Sequence, residues 1–249
     1  MNTITGKTAI VVGASRGLGR GVAEAFLDAG AAVVALARDI SPLVELAAHK
    51  SLLQLEAADA TDPTVAGTLL ERYRPDILAL IAGATPLLRP LQFQTWETFS
   101  VNWDTDVRMT FLWLREALLL PLQPGSRIIV MSSGAAVKGS PLSGGYAGAK
   151  ATQRFLADYT AQESNRSGLG ITVTAVLPQL TPATDLGKPA VAAYAARGGL
   201  SMEEYLAQLG DPITPEIAGA AFTRLAAGDR DTDVPASLLT AGGLRPLSS

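Results

Sequence analysis

Tyr146 and Lys150 stand four residues apart in "YAGAK" (146–150), behind the small, polar stretch "MSSGAAVKGSPLSGG" with its serine pair, Ser132 and Ser133. On a helix, positions i and i+4 share one face a turn apart, so a phenol and an ammonium are placed to enter the same cleft. A neighbouring ammonium favours the phenolate, which makes the phenol able to give up and take back a proton. A second group of residues could hold a charged ligand. "VVGASRGLGRG" sets Gly13, Gly17 and Gly19 where a β-rich run gives way to a helical pattern. Glycines there let the backbone turn tightly and approach a pyrophosphate, and a helix N-terminus favours the anion. Asp59, in "AADATD", ends a third β-rich run, where a carboxylate or a neighbouring amide can hydrogen-bond an adenine amino group. The same residue could equally serve as a turn or cap.

Composition narrows the chemistry. The chain has 249 residues and no cysteine, which excludes a disulfide framework, a thiolate metal site and a cysteine nucleophile. His49 is the only histidine, in "LAAHKS", and reads as a polar residue near a helix end; no metal site is expected. The net charge of -3 argues against nucleic acid or an anionic membrane as partner. The N-terminal run is short and broken by glycine, unlike a signal peptide, and no apolar stretch reaches the ~18 residues of a span. A cytoplasmic protein is expected.

The elements that must position these residues alternate. Strands are expected at 8–14, 31–38, 52–59, 76–83, 126–133 and 171–178, with a seventh from "VPASLLTAGG". Helices are expected after the glycine turn, closed by Gly30, and at "SPLVELAAHK", with Ser41 as N-cap and Pro42 in the first turn. Others cover "DPTVAGTLLERYR", one long run from Thr95 to Leu120, Gly145 to about Arg166, and "TPEIAGAAFTRLAAG". Regular alternation predicts one α/β domain over 1–249, a doubly wound Rossmann-type parallel sheet of about seven strands with helices on both faces. Residues 179–214 are irregular, with two helical patches, and are too long for an ordinary connection, so they form a candidate lid.

In that order, "GASRGLG", "AADATD", the Ala82-Gly83 pair, "SVN" at 100–102, "IIVMSS" and "YAGAK" resemble the short-chain dehydrogenase/reductase family over nearly the whole chain. Ser133 precedes Tyr146 by the separation familiar in that family. The resemblance implies four catalytic positions, Asn102, Ser133, Tyr146 and Lys150. Tyr146 would exchange a proton with a carbonyl or alcohol oxygen as hydride moves at its carbon. Ser133 would hydrogen-bond that oxygen, Lys150 would also hold the nicotinamide ribose, and Asn102 would anchor a water linking Lys150 to solvent. Cofactor contacts are implied in the first turn at Gly13, Ser15, Arg16, Gly17, Leu18 and Gly19. Further along they are implied at Arg38, Asp59, Ala60, Ala82 and Gly83, at Tyr146 and Lys150, and at Pro178, Leu180 and Thr181.

Three positions depart from the family pattern. Val12 replaces its threonine and Ile81 its asparagine, a paired loss of polar groups compatible with retained cofactor binding. Gln179 replaces the glycine after Pro178 and would narrow the pocket or offer it an amide. By position, Thr85, Leu87, Val137, Leu142 and Gln179 are candidate substrate contacts, mainly apolar, as for a ketone or secondary alcohol with hydrophobic substituents. Ala37 stands where NAD-preferring relatives carry an acid, and Arg38 and Arg16 could flank a 2′-phosphate, so NADP(H) is expected over NAD(H). A homo-oligomer, dimer or tetramer, is implied through the two long helices. The alternatives are a non-catalytic dinucleotide-binding regulator on the same fold, or an epimerase or dehalogenase on this scaffold.

Overall fold

A computed structural model describes residues 3–229 and 234–247. Eight strands form one sheet in the order β3-β2-β1-β4-β5-β6-β7-β8. The six strands expected from the apolar runs are β1 (Thr8–Val12), β2 (Ala32–Ala37), β3 (Leu53–Ala57), β4 (Ile77–Leu80), β5 (Arg127–Met131) and β6 (Thr172–Pro178). With β7 (Ala236–Thr240) they make seven parallel strands. An eighth, β8 (Gly243–Pro246), folds back antiparallel on β7 at the edge. The parallel part of the sheet matches the expectation of about seven strands, and β8 is an added antiparallel edge. Pro246, which cannot donate to a ladder, is tolerated because it ends an edge strand.

Side chains alternate across the central strands. Ala9 and Val11 of β1 join Val22 and Phe26 of α1 (Gly17–Asp28) and Phe222 of α10 (Pro215–Ala227) in one core. Ile10 and Val12 join Leu70 of α3 (Pro63–Tyr73), Trp113 of α5 (Arg108–Leu119) and Ala157 of α7 (Tyr146–Arg166) in the other. The layers are those of a Rossmann-type domain. The chain reverses its direction of travel across the sheet between β1 and β4, and in such sheets the crevice above the carboxyl ends of those strands is where ligands bind.

Two local expectations are corrected. The helix read as continuous from Thr95 to Leu120 is α4 (Trp96–Asn102), a π-helical turn at Trp103–Val107, and α5. Ser41 does not cap α2 (Val44–His49); a 3-10 turn over Ser41–Leu43 precedes it, and the Asp39 carboxylate accepts the Ser41 N–H at 2.9 Å. The segment after β6 holds the two helical patches expected of it, as α8 (Gly187–Gly198) and α9 (Met202–Leu209). Its two ends are tied together, because the Thr181 hydroxyl donates to the Ile213 carbonyl at 2.9 Å. His49 is exposed at the end of α2, as its bland reading expected.

Candidate active site

The segments following β1, β2, β3, β4, β5 and β6 enclose one cavity of about 1070 Å³. The glycine turn forms its floor. A Cβ at Gly19 would lie 2.1 Å from the Gly13 carbonyl oxygen, so the turn closes upon itself only without side chains. A Cβ at Gly17, by contrast, would meet only the Thr184 methyl, at 3.8 Å. Gly17, Leu18 and Gly19 line the cavity at the start of α1, whose N-terminus has no side-chain cap. Such a terminus suits an anion. Ser15, Arg16, Arg38, Asp59, Ala60, Ala82 and Gly83 line it too, as do Pro178, Leu180 and Thr181. The residues present fit a dinucleotide. Asp59 also fulfils its bland role: its carboxylate accepts the Thr61 N–H at 2.9 Å and hydroxyl at 2.8 Å, and these bonds hold it below the usual aspartate range.

The two apolar departures lie on opposite faces of the sheet: Val12 is in the core with Trp113, and Ile81 packs against the core with Phe222. Ile81 and Ala82 both donate their N–H groups to the Val12 carbonyl at 2.9 Å, and Val12 is fully buried.

Tyr146 is the first residue of α7, half-buried on the cavity. One turn on, the Lys150 Nζ lies 5.5 Å from the centre of the phenol ring. Ser133 lines the same wall beyond β5, and its Oγ accepts the Ala135 N–H at 3.2 Å, which leaves the hydroxyl proton free to donate. Ser132 is turned inward and donates to the Lys150 carbonyl at 2.7 Å. Three of the four expected catalytic residues thus converge on the cavity. Asn102 does not line it. It is fully buried at the end of α4, and its Nδ2 donates to the Ala84 carbonyl at 2.7 Å and approaches Asp106 Oδ1 at 3.3 Å.

Asp106 was not singled out from the sequence. It is fully buried, and its Oδ2 lies 3.0 Å from Lys150 Nζ. Gln153 Oε1 accepts from the same ammonium at 2.7 Å, and the Met131 carbonyl stands at 3.4 Å. Burial opposes the charge on Lys150, but Asp106, with Tyr146 adding, outweighs it and holds the ammonium above the ordinary lysine value. The i, i+4 spacing of Asn102 and Asp106 was a usable signal. The acid pair Asp104 and Asp106 disguised it as a solvated face, which Asp104 indeed is.

Among the candidate substrate residues, Thr85, Leu87 and Gln179 line the cavity, whereas Val137 and Leu142 lie outside it. Val137 is exposed on the short helix α6 (Ala135–Lys138), whose Ala135 and Lys138 face the cavity instead, and Leu142 is buried. Residues not foreseen close the outer end: Ser140, bonded to the hydroxyl of Tyr194, together with Tyr205 and Gln208. Burial raises both tyrosines above the usual phenol range.

Comparison with known proteins agrees with this architecture. The short chain dehydrogenase family model matches residues 7–195. An oxidoreductase of Sarocladium schorii is 28% identical over 97% of this chain and 96% of that protein. A hydroxynaphthalene reductase-like protein of Metarhizium robertsii is 30% identical over the same shares. A 3-oxoacyl-[acyl-carrier-protein] reductase of Synechocystis is 31% identical over 75% of this chain and 78% of that protein. Among solved structures, a Beutenbergia cavernae chain, described as an NAD(P) dependent gluconate 5-dehydrogenase with bound NADP at low occupancy, superposes with a TM-score of 0.76. It is 25% identical and covers 90% of each chain. The fold and the cavity define a dinucleotide-type oxidoreductase scaffold. Within that class, the chain belongs to the short-chain dehydrogenase family.

Proposed function

We propose that this protein is an NADP-dependent oxidoreductase that interconverts a ketone and a secondary alcohol, with Tyr146 as the acid/base. The observation that carries the reading is the meeting of Ser133, Tyr146 and Lys150 on the same cavity as the glycine turn. Bound nicotinamide supplies or accepts hydride. The chain's own groups handle the oxygen. The phenol of Tyr146 gives its proton to the carbonyl oxygen, and the Ser133 hydroxyl donates to that oxygen and fixes its place. An ammonium has three donors; Asp106 and Gln153 take two of Lys150's, and the long contact to Met131 leaves the third for a ribose hydroxyl. Two relatives described as reductases support the carbonyl-reducing direction.

NADP(H) is favoured over NAD(H). Arg38 follows β2 and Arg16 precedes α1, both on the cavity, while Ala37 supplies no acid to repel a 2′-phosphate. Leu87, Leu88, Pro141, Leu186 and Leu209 give the substrate end an apolar character. A homo-oligomer is supported by aromatic rings left exposed on α5 and α7, at Phe111, Phe155 and Tyr159.

The test is a panel of ketones and alcohols, followed by nicotinamide absorbance with NADPH and NADH in parallel. Turnover should be seen with hydrophobic ketones, with kcat/KM higher for NADPH. Arg38→Asp should abolish or reverse the preference. A wild-type preference for NADH would refute the roles given to Arg16, Ala37 and Arg38. No turnover of any ketone or alcohol would refute the reaction.

A further inference from the structure

Asp106 and Lys150 are oppositely charged side chains sealed together beneath the phenol of Tyr146. The carboxylate is fixed on both oxygens. Oδ1 accepts the Ala84 N–H at 2.8 Å, with the Asn102 amide beside it, and Oδ2 faces the ammonium. The remaining groups around the pair are uncharged. Gln153 on α7 binds Lys150 and is itself held by the Thr110 hydroxyl at 2.6 Å, and β5 presents the Met131 carbonyl. The titratable groups that face the cluster are Tyr146 itself and, from α8, Tyr194, which is near enough to respond to charge on Tyr146.

We propose that Asp106 is a positioning residue that makes the cluster beneath the phenol electrically neutral, so that Tyr146 and Lys150 keep both their protons further into the alkaline range than an unbalanced lysine would allow. The reason is the charge left behind. With Asp106 present, loss of one proton from the tyrosine–lysine pair leaves a net negative charge in a site screened from water. Without it, the same loss takes the site from positive to neutral, which burial favours whichever of the two groups gives up the proton. Asp106 therefore extends the pH range over which the phenol remains a donor with a charged lysine behind it. The catalytic meaning of this rests on the oxidoreductase reading; the charge balance does not.

The test follows the pair directly in protein without cofactor. Tyrosine labelled at Cζ and lysine labelled at Cε with carbon-13 report phenol and ammonium by NMR, the two signals being assigned through Tyr146→Phe and Lys150→Met. In Asp106→Asn the first proton should leave the pair at least about one pH unit lower than in the wild type. An unchanged midpoint overturns the proposal. Should the single variant fail to fold, Asp106→Asn/Lys150→Met removes both charges together. Its Tyr146 signal should then titrate within about half a unit of wild type, and displacement by a full unit or more overturns the proposal. In a second arm, the alkaline fall of reductive kcat/KM should move down with the NMR midpoint. A uniform loss at every pH with an unmoved profile shows a merely structural residue and also overturns it. A wild type without turnover defeats the oxidoreductase reading and leaves the NMR arm able to decide Asp106. A wild type with turnover whose midpoint ignores Asp106→Asn defeats Asp106 alone.

Discussion

Tyr146→Phe removes one oxygen from the wall of the cavity and nothing that touches the glycine turn. Turnover should fall by about 10²–10⁴-fold, the usual worth of a general acid, while cofactor affinity measured by nicotinamide fluorescence stays near wild type. Lys150→Ala should lower both, because the ammonium lies under the phenol and, on the proposed reading, also holds the ribose. Lys150 also gives a pH signature. Its charged form is favoured in the folded protein, so its stabilising contribution is complete below the unfolded lysine value of about 10.4 and disappears as pH rises through the higher folded value. Melting temperature should therefore fall with pH in that alkaline window, and Lys150→Met should flatten the fall. Spacing put the tyrosine and lysine on one helix face, and the ordered set of motifs around them singled the pair out. Asp106 was not singled out. One acid of a nearby pair faces water and the other faces Lys150, and only packing against the Ala84 loop decides which.

At the scale of elements, short β-rich runs between helical patterns marked seven of the eight strands, β7 among them. The eighth obeyed another rule. Gly243–Pro246 is short and carries a proline, so it resembles a turn until β7 offers it a partner. The π-helical turn was equally hidden, because its residues fit the helical pattern on either side. The segment proposed as a lid holds the two helices its pattern suggested, and the second begins with a capping box: the Ser201 hydroxyl accepts the Glu204 N–H while the Glu204 carboxylate accepts the Ser201 N–H. Hydrogen exchange across 179–214 should slow when NADP(H) binds, and Ser201→Ala should speed it selectively over Met202–Leu209. Exchange indifferent to cofactor would separate the segment from the site. Gln179, exposed at the cavity rim, should restrict width; Gln179→Gly is expected to broaden the range of ketones reduced in the same absorbance assay.

For the whole molecule, the balance of buried and exposed surface points outward. Phe155 and Tyr159 pack ring against ring at 5.8 Å on α7 yet remain largely exposed, and Phe111 of the neighbouring α5 does likewise. Phe155→Asp should shift the mass measured by light scattering toward a single chain of 25.8 kDa; a wild type already of that mass would defeat the assembly proposed here. No helix among the described residues is long and apolar enough to cross a membrane. One bond noted earlier reaches further than its size. The Thr181 hydroxyl and the Ile213 carbonyl pin together the two ends of the segment that leaves the sheet after β6 and returns before α10. A stretch clasped at its base behaves as an interchangeable cartridge. Its contents can lengthen, shorten or be traded between relatives at little cost to the sheet below, because the ends stay where they are. If the segment contacts substrate as proposed, grafting between those two residues should alter which ketones are accepted while Tyr146 and Lys150 keep their places.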